Sequence, residues 1–310
     1  MKAVRFHAYG DTDVLVYEEA KRPVAGTGQV VVRVTATAFN PVDAAIRAGY
    51  LRDAFPLTFP HTPGIDVAGV ITEVGAGVDG WQPGDEVVAF LPMNEPGSAA
   101  EYVLAPAATL AAAPKSVDLA DAAALPSGSL TARQSLFEHA ELKSGQTILI
   151  NGAGGSVGGY AVQLAHRAGA LVTATAGPRS ADRVRAYGAD RIIDHTTTPL
   201  PQALAGKRFD AVLNLVSTTP EETAALVDLV ADGGVFVSAT TPYTADPGRN
   251  VRTVQVFVRS DADRLTELVR QVDTGDLKIH VAQRRPLSDL AAVHAEAAAG
   301  RLPGKTVLIP

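Results

Sequence analysis

The sequence predicts an α/β protein in which a doubly wound parallel sheet is joined to a smaller β-barrel domain. Three observations indicate this fold class. From about residue 147 to residue 239, strand and helix patterns alternate, which is typical of a parallel sheet covered by helices. Residues 1–120 instead contain short strand patterns with close glycine and proline punctuation, as in a small barrel or sandwich. A glycine-dense turn directly follows the first strand of the alternating region.

Each predicted element has a recognisable pattern. In the β-rich region, strand composition occurs at residues 29–37, 67–74 and 86–91. Helical patterns follow at residues 118–124 and 130–140. The parallel sheet is predicted from apolar runs at residues 147–150, 171–176, 191–193, 210–216 and 234–239, with helices at 180–187 and 221–230 between them.

The last part of the chain returns to a different pattern. Helices are predicted within residues 261–273 and 286–300, and a final strand at 305–309. That strand could return to the barrel, which would then be discontinuous in sequence. We therefore expect the barrel domain at residues 1–120 and 277–310, and the parallel-sheet domain at 121–276.

The glycine turn has the spacing of a dinucleotide-binding fingerprint, with Ala153 in place of its first glycine and Gly155 and Gly158 after it. Absent side chains let the backbone approach a pyrophosphate, and the first N–H groups of the following helix hold its charge. An ordinary tight turn is the alternative interpretation. Because strand and helix flank the turn in the required order, we expect cofactor contacts from Ala153, Gly154, Gly155, Ser156, Val157 and Gly158.

Composition excludes several classes of protein. The 310 residues include no cysteine, so disulfides, a cysteine nucleophile and thiolate-bound zinc are impossible. The formal charge of −6 argues against general binding to nucleic acid or to an anionic membrane. No apolar run is long enough to span a bilayer, and the N-terminus lacks a secretory apolar core. We expect a cytoplasmic protein without nucleic-acid or membrane partners.

Several short motifs, in order along the chain, carry a resemblance to a known family. They are the segments NPVD at residues 40–43, PGIDVAG at 63–69, WQPGDEV at 81–87, AGGSVG at 153–158 and GKTVL at 304–308. This series resembles the medium-chain dehydrogenase/reductase superfamily, and within it the zinc-free quinone oxidoreductases similar to zeta-crystallin. The resemblance implies a GroES-like barrel, a Rossmann domain, a cofactor cleft between them, and a homodimer joined at the sheet edge near residues 250–258.

The same resemblance predicts that no metal is bound. Zinc alcohol dehydrogenases of this superfamily carry an early cysteine and a Gly-His-Glu motif near Gly64, Ile65 and Asp66 of this chain. Here Ile65 stands in place of the histidine, and cysteine is absent. We expect Asp66, and also Asp43, to hold loops rather than to transfer protons.

The predicted cofactor is NADPH. An acid that would accept hydrogen bonds from the ribose of NAD is missing at residues 174–177. Arg179 follows and could form a charge-assisted fork with a 2′-phosphate, although a solvated arginine is the alternative. His195 follows the third strand of the sheet, where relatives place a residue near the adenosine phosphate; a surface histidine fits equally well. Thr175 and Ser180 complete this end of the site, and the resemblance adds Val216, Phe257 and Lys305.

The predicted reaction is hydride transfer to a quinone or to an α,β-unsaturated carbonyl. Without zinc a saturated alcohol is a poor substrate, whereas a conjugated acceptor needs only hydrogen bonds to its oxygen. Asn40 could donate one, or could instead cap the turn before Pro41. Tyr50 could donate another or pack at a rim, and Thr131 could contact the nicotinamide or merely stabilise its helix. A non-catalytic NADPH-binding protein and an enoyl-thioester reductase are the remaining alternatives.

Overall fold

The computed structural model describes residues 1–244 and 247–310 and divides into two compact units. The first unit comprises Met1–Ser127 and Ser260–Pro310, and the second comprises Gly128–Arg259. The first unit is therefore discontinuous in sequence.

The first unit begins with strands β1 to β7, which are Lys2–Arg5, Val16–Glu19, Gln29–Ala38, Asp66–Val74, Glu86–Phe90, Tyr102–Pro106 and Leu110–Ala112. Its helices α1 and α2 are Pro41–Arg47 and Leu119–Ala122, and α3 (Pro126–Arg133) leads into the second unit. A π-helical segment, Gln134–His139, continues α3.

The second unit contains strands β8 to β13, which are Thr147–Asn151, Leu171–Thr175, Arg191–Ile193, Phe209–Asn214, Val230–Ser238 and Arg252–Gln255. Its helices α4 to α7 are Ser156–Arg167, Pro178–Ala186, Leu200–Ala203 and Pro220–Val227. The chain then returns to the first unit with α8 (Ala262–Asp273), β14 (Gln283–Pro286), α9 (Leu290–Ala298) and β15 (Thr306–Ile309).

The main sheet of the first unit is built around β3. The strand order of the described residues is β14-β15-β3-β4-β5-β7, and β6 also pairs with β3. Val30, Val32 and Val34 are buried because they alternate along β3 and point to one face, where they pack into an aliphatic core. The predicted closing strand is confirmed, since Val307 and Leu308 of β15 pair antiparallel with β3.

The second unit is a doubly wound sheet. Its strands are parallel in the order β10-β9-β8-β11-β12-β13 over the described residues. The order reverses between β8 and β11, which is where such folds bind ligands at the carboxyl ends of the strands. Leu149, Val212 and Phe236 form part of the buried core of this sheet. The glycine turn follows β8 and therefore lies at this reversal point.

Two boundaries differ from those predicted. The division falls after residues 127 and 259, not after residues 120 and 276, so α8 belongs to the first unit. Its last residue explains the assignment, because the backbone N–H groups of Lys115 and Ser116 donate to the Asp273 carboxylate at 2.7 and 2.9 Å. The amphipathic pattern of α8 revealed an apolar face but not the sheet that it covers.

The strand predicted at residues 250–258 is shorter than expected. Only Arg252–Gln255 form β13, which is the outermost strand beside β12 in the described part of the sheet. No helix among the described residues combines the length and apolar character that crossing a membrane requires.

Candidate functional site

The glycine turn leads directly into the first turn of α4. Gly152 has a φ of +93°, which favours glycine, and Gly155 forms the N-cap of α4. The first intrahelical hydrogen bond runs from the Gly159 N–H to the Gly155 carbonyl at 2.9 Å. The N–H groups of Ser156, Val157 and Gly158 precede that bond, as at any helix start, and together they suit an anion such as a pyrophosphate.

Close packing explains why small residues are needed in the turn. A Cβ atom on Gly158 would lie 2.3 Å from the carbonyl oxygen of Gly152, so a side chain would force the turn apart. A Cβ atom on Gly154 would lie 2.4 Å from the hydroxyl oxygen of Ser180 at the start of α5. Ala153 is fully buried, and its N–H donates to the Thr175 carbonyl at 3.1 Å. Ala153 therefore anchors the turn to the sheet and does not offer its side chain to a cofactor.

Four neighbouring strands end in buried polar residues that bond to one another. These residues are Thr175 of β9, Asn151 of β8, Asn214 of β11 and Ser238 of β12, and we call them the strand-end row. The Thr175 hydroxyl donates to the Asn151 side-chain oxygen at 2.9 Å. The Asn151 amide donates in turn to the Asn214 side-chain oxygen at 2.9 Å, and the Asn214 amide lies 3.4 Å from the Ser238 hydroxyl.

The strand-end row gives Thr175 a structural role. Its hydroxyl accepts the Gly152 N–H at 2.8 Å while it donates to Asn151, so it holds the glycine turn in place. The cofactor contact predicted for Thr175 stays a prediction. Asn151 and Asn214 were not among the predicted site residues. Each is a polar residue that ends an otherwise apolar strand, and this pattern is visible in the sequence.

The remaining residues predicted at the adenosine end lie on two segments, the start of α5 and the loop after β10. Arg179 is exposed at the start of α5, one residue before Ser180. The His195 ring lies beside Gly177, where its Nε2 is 3.6 Å from the position of a Cβ atom on that glycine. The structure adds Arg183, which was not predicted: its Nη2 donates to the Gly154 carbonyl at 2.8 Å.

Val216 and Phe257 have different positions. Val216 follows β11 beside the glycine turn, and a Cβ atom on Gly152 would lie 2.7 Å from its Cγ2. The Asn214 amide donates to the Val216 carbonyl at 2.9 Å, which fixes this loop. Phe257 is 72% exposed and follows β13, so β11 and β12 separate it from the strand that carries the turn.

A buried polar cluster in the first unit contains two predicted site residues, Asn40 and Lys305. The Asn40 amide donates to the Ala38 carbonyl at 3.1 Å and to the Asp66 carboxylate at 2.9 Å. Its side-chain oxygen accepts from the Lys305 ammonium at 2.7 Å. That ammonium also lies 3.2 Å from Asp66, which is fully buried and further accepts the Ser127 N–H at 2.8 Å.

This cluster bears on two predicted roles. Both amide hydrogens of Asn40 already have acceptors, so it could donate to a substrate oxygen only by abandoning Ala38 or Asp66. Lys305 is buried as the cation that balances Asp66, and the cofactor contact predicted for it stays a prediction. The expectation that Asp66 is structural agrees with these bonds.

Asp43 lies next to the cluster and caps α1. Its carboxylate accepts the Asn40 N–H at 2.9 Å, which is one half of a capping box. Burial raises the pKa of Asp43 to about 7, and the nearby Asp66 charge adds to the rise. Asp43 also lines a small cavity of the first unit together with His61, Ile65 and Glu95. Burial lowers the pKa of His61 to about 4.

The two other predicted catalytic residues lie on different units. Tyr50 follows α1 in the first unit, and the residue is 84% exposed. Thr131 is buried within α3 on the second unit.

Two segments of the chain match models of known protein families. Residues 26–115 match the alcohol dehydrogenase GroES-like domain, and residues 187–308 match the zinc-binding dehydrogenase family. A chloroplast envelope quinone oxidoreductase homolog of Arabidopsis thaliana is 34% identical, and the alignment covers 100% of this chain and 98% of that protein. The chain belongs to the medium-chain dehydrogenase/reductase superfamily. Within it, the chain falls in the quinone oxidoreductase branch.

Two further comparisons bear on this medium-chain reductase. The NADPH-dependent alkenal/one oxidoreductase of Arabidopsis thaliana is 35% identical, over 100% of this chain and 80% of that protein. The solved structure of an NAD-dependent alcohol dehydrogenase superposes with a TM-score of 0.89 at 31% identity, covering 100% of both chains. The superposition agrees with the predicted combination of a GroES-like barrel and a Rossmann sheet.

Although residues 187–308 match a family described as zinc-binding, this reductase has an apolar residue at the position of a zinc ligand. Ile65, which stands where zinc-dependent members carry histidine, is an apolar side chain that is 4% exposed. Among the residues that the structure describes, no group of three or more His, Cys, Asp or Glu is arranged to hold a metal ion.

Proposed function

We propose that this chain is an NADPH-dependent reductase of quinones or α,β-unsaturated carbonyls that works without zinc. The observation that carries the proposal is the open start of α4 at the reversal point of the sheet, in a chain whose zinc-ligand position is Ile65. The names of the Arabidopsis relatives, a quinone oxidoreductase homolog and an alkenal/one oxidoreductase, agree with this substrate class.

The second unit would hold the cofactor with its own backbone. The N–H groups of Ser156, Val157 and Gly158 would bind the pyrophosphate, since the helix start leaves them directed at a ligand. Val216, fixed by Asn214, would form the wall on the other side of the reversal point. When bound, the reduced nicotinamide supplies a hydride.

Preference for NADPH over NADH rests on the charge at the end of β9. Residues 174–177 contain no acid that would repel a 2′-phosphate, and Arg179 is an exposed cation in the first turn of α5. His195 lies beside Gly177 and Ser180 lies beside Gly154, and both side chains would add hydrogen bonds at this end of the site. Because the NAD-dependent relative shares the same fold, the test is to compare the affinities of NADPH and NADH directly. Changing Arg179→Gln should weaken NADPH by about tenfold or more and leave NADH nearly unchanged.

The first unit determines which acceptors can react. Asp66 is neutralised by Lys305, and Asn40 is bonded on both sides, so this cluster offers no electrophile to polarise a simple ketone or to acidify an alcohol. A conjugated enone or a quinone is already electrophilic and needs only a hydrogen bond as negative charge develops on its oxygen. We propose the exposed Tyr50 hydroxyl as one donor, in place of Asn40, with solvent supplying the proton.

Oxidation of NADPH should be followed with an enone, with the saturated ketone of the same skeleton, and with an ortho-naphthoquinone. The enone and the quinone should be reduced, and the saturated ketone should be inert because nothing polarises it. Equal rates with the two ketones would contradict conjugate reduction. Tight NADPH binding with no turnover on any acceptor would favour the alternative of a non-catalytic binding protein. The predicted cytoplasmic location stays a prediction, since the named relatives are chloroplast proteins.

A further inference from the structure

We infer that Arg183 is a positioning residue that fixes the glycine turn for the cofactor's pyrophosphate, in a role distinct from that of Arg179. The inference rests on the proposed binding of a nicotinamide cofactor. It starts from the hydrogen bond that the Arg183 guanidinium donates to the Gly154 carbonyl at 2.8 Å.

The peptide group between Gly154 and Gly155 is held at both ends. Its carbonyl accepts from Arg183, and its N–H donates to the Gly152 carbonyl at 3.1 Å. The next two N–H groups along the chain, those of Ser156 and Val157, begin α4. The orientation of this peptide therefore sets where the phosphate-binding N–H groups point.

A peptide flanked by two glycines needs such a restraint. Glycine occupies positive and negative φ about equally well, so this peptide can rotate at little cost unless both ends are bonded. Rotation would turn the Gly154 carbonyl oxygen, which carries partial negative charge, toward a bound phosphate. Arg183 opposes that rotation and also keeps a positive charge beside the turn.

The N-terminal half of α5 packs against the glycine turn, and this packing brings Arg183 within reach of the Gly154 carbonyl. Ser180 lies so near the turn that a Cβ atom on Gly154 would be 2.4 Å from its hydroxyl oxygen. Arg183 is three residues later, on the same face of the helix, and is partly buried. Arg185 lies on the exposed side, where it pairs with Asp182 at 2.8 Å and not with the turn.

Because of these positions, the roles of Arg183 and Arg179 can be distinguished by measuring the binding of different ligands. Arg183 acts on the turn that binds the pyrophosphate, which NADPH and NADH share, whereas Arg179 is proposed to act on the 2′-phosphate alone. Losing the Arg183 bond should therefore weaken both cofactors by the same factor, about tenfold for one charge-assisted hydrogen bond. Adenosine 2′-monophosphate, which lacks the pyrophosphate, should bind Arg183→Gln as it binds the wild type.

The experiment measures dissociation constants by calorimetry for NADPH, NADH and adenosine 2′-monophosphate with Arg183→Gln, Arg179→Gln and the control Arg185→Gln. We expect equal losses of both dinucleotides in the first variant, loss of NADPH and of the monophosphate in the second, and no change in the control. A loss in Arg183→Gln confined to the 2′-phosphorylated ligands, or no loss at all, would overturn the inference.

Two further outcomes are interpretable. If Arg183→Gln loses thermal stability, Arg183→Lys takes its place: it keeps the charge and one donor, and it should retain most of the affinity for both dinucleotides. An Arg183→Lys variant that folds but binds both dinucleotides as weakly as Arg183→Gln would overturn the positioning role. If the wild-type chain binds neither dinucleotide, both the proposed function and this inference fail. If the wild type binds both and Arg183→Gln binds them equally well, only this inference fails.

Discussion

Replacing the buried His294 by phenylalanine should make the first unit less sensitive to acid. His294 lies in α9 with 1% of its surface exposed, and its ring packs edge-on against Phe39 with 4.8 Å between the ring centroids. Within the described part of the chain, neither ring nitrogen has a hydrogen-bond partner. Burial, together with the charge of Arg47, lowers the pKa of His294 from 6.5 to about 3.

The sign and the size of the effect follow from linkage. Because the folded state holds the proton more weakly, the unfolded state binds more protons as the pH falls from 6.5 toward 3. The stability associated with neutral His294 is thus fully present above pH 6.5 and is lost as the pH falls through this window. At a pH of about 5 the loss amounts to roughly 2 kcal/mol of unfolding free energy.

Other buried groups contribute to the pH dependence of the wild type. His61, with a pKa lowered to about 4, acts in the same direction as His294. Asp43, with a pKa raised from 3.8 to about 7, acts in the opposite direction, because its stabilising contribution is lost as the pH rises through 7. Both are present in wild type and variant, so the difference between the two proteins isolates His294.

The assay is urea unfolding at a pH of about 5 and of about 8, followed by fluorescence of Trp81. This is the single tryptophan of the chain, and it packs against the aliphatic core of the same unit as His294. On going from the higher to the lower pH, the unfolding free energy of His294→Phe should rise by about 2 kcal/mol relative to that of the wild type. The same substitution at an exposed histidine of the second unit, His195→Phe, serves as the control. An equal pH dependence in His294→Phe and wild type would refute the reasoning.

Four other predictions concern the site and the assembly. Gly158→Ala should lower cofactor affinity by at least about tenfold, since its methyl group would press on the Gly152 carbonyl; calorimetry giving wild-type affinity would contradict the packing argument. Tyr50→Phe should lower enone turnover by about tenfold or less without changing NADPH affinity, as expected for one neutral donor in an exposed position, and an unchanged rate would remove Tyr50 from the mechanism. Activity should survive dialysis against a strong chelator because Ile65 cannot bind zinc, and stoichiometric zinc with lost activity would oppose this. Pairing of β13 with its symmetry mate should give a dimer by light scattering, whereas a monomer at micromolar concentration would count against that edge.

The sequence predicted the overall organisation well because that organisation depends on local patterns. The apolar run of β8, the glycine turn and the helical spacing of α4 are contiguous, so the turn was located correctly together with its strand and helix. The return of β15 to β3 also followed from a short terminal strand pattern. The assignment of α8 to the first unit could not be predicted in this way, because an amphipathic helix shows the same pattern whichever sheet it covers.

The roles of individual polar residues were harder to predict. Thr175 ends the second strand of the parallel sheet and Lys305 lies within the GKTVL motif, and both were assigned to the cofactor. In the structure each is bonded to groups of its own unit. Sequence shows which side chains can donate or accept, but not whether a distant strand already provides the partner. Arg183 was missed for the same reason, since its bond to Gly154 joins residues that lie 29 positions apart.

The strand-end row has a consequence for hydrogen exchange. A turn that depended on loop contacts would open locally and often, whereas the Gly152 N–H is bonded to Thr175, which is tied through Asn151 to the central strands. Its exchange should therefore require the sheet itself to open, which makes it among the slowest of any loop amide. A receptor site that is already rigid before its ligand arrives loses little conformational entropy on binding.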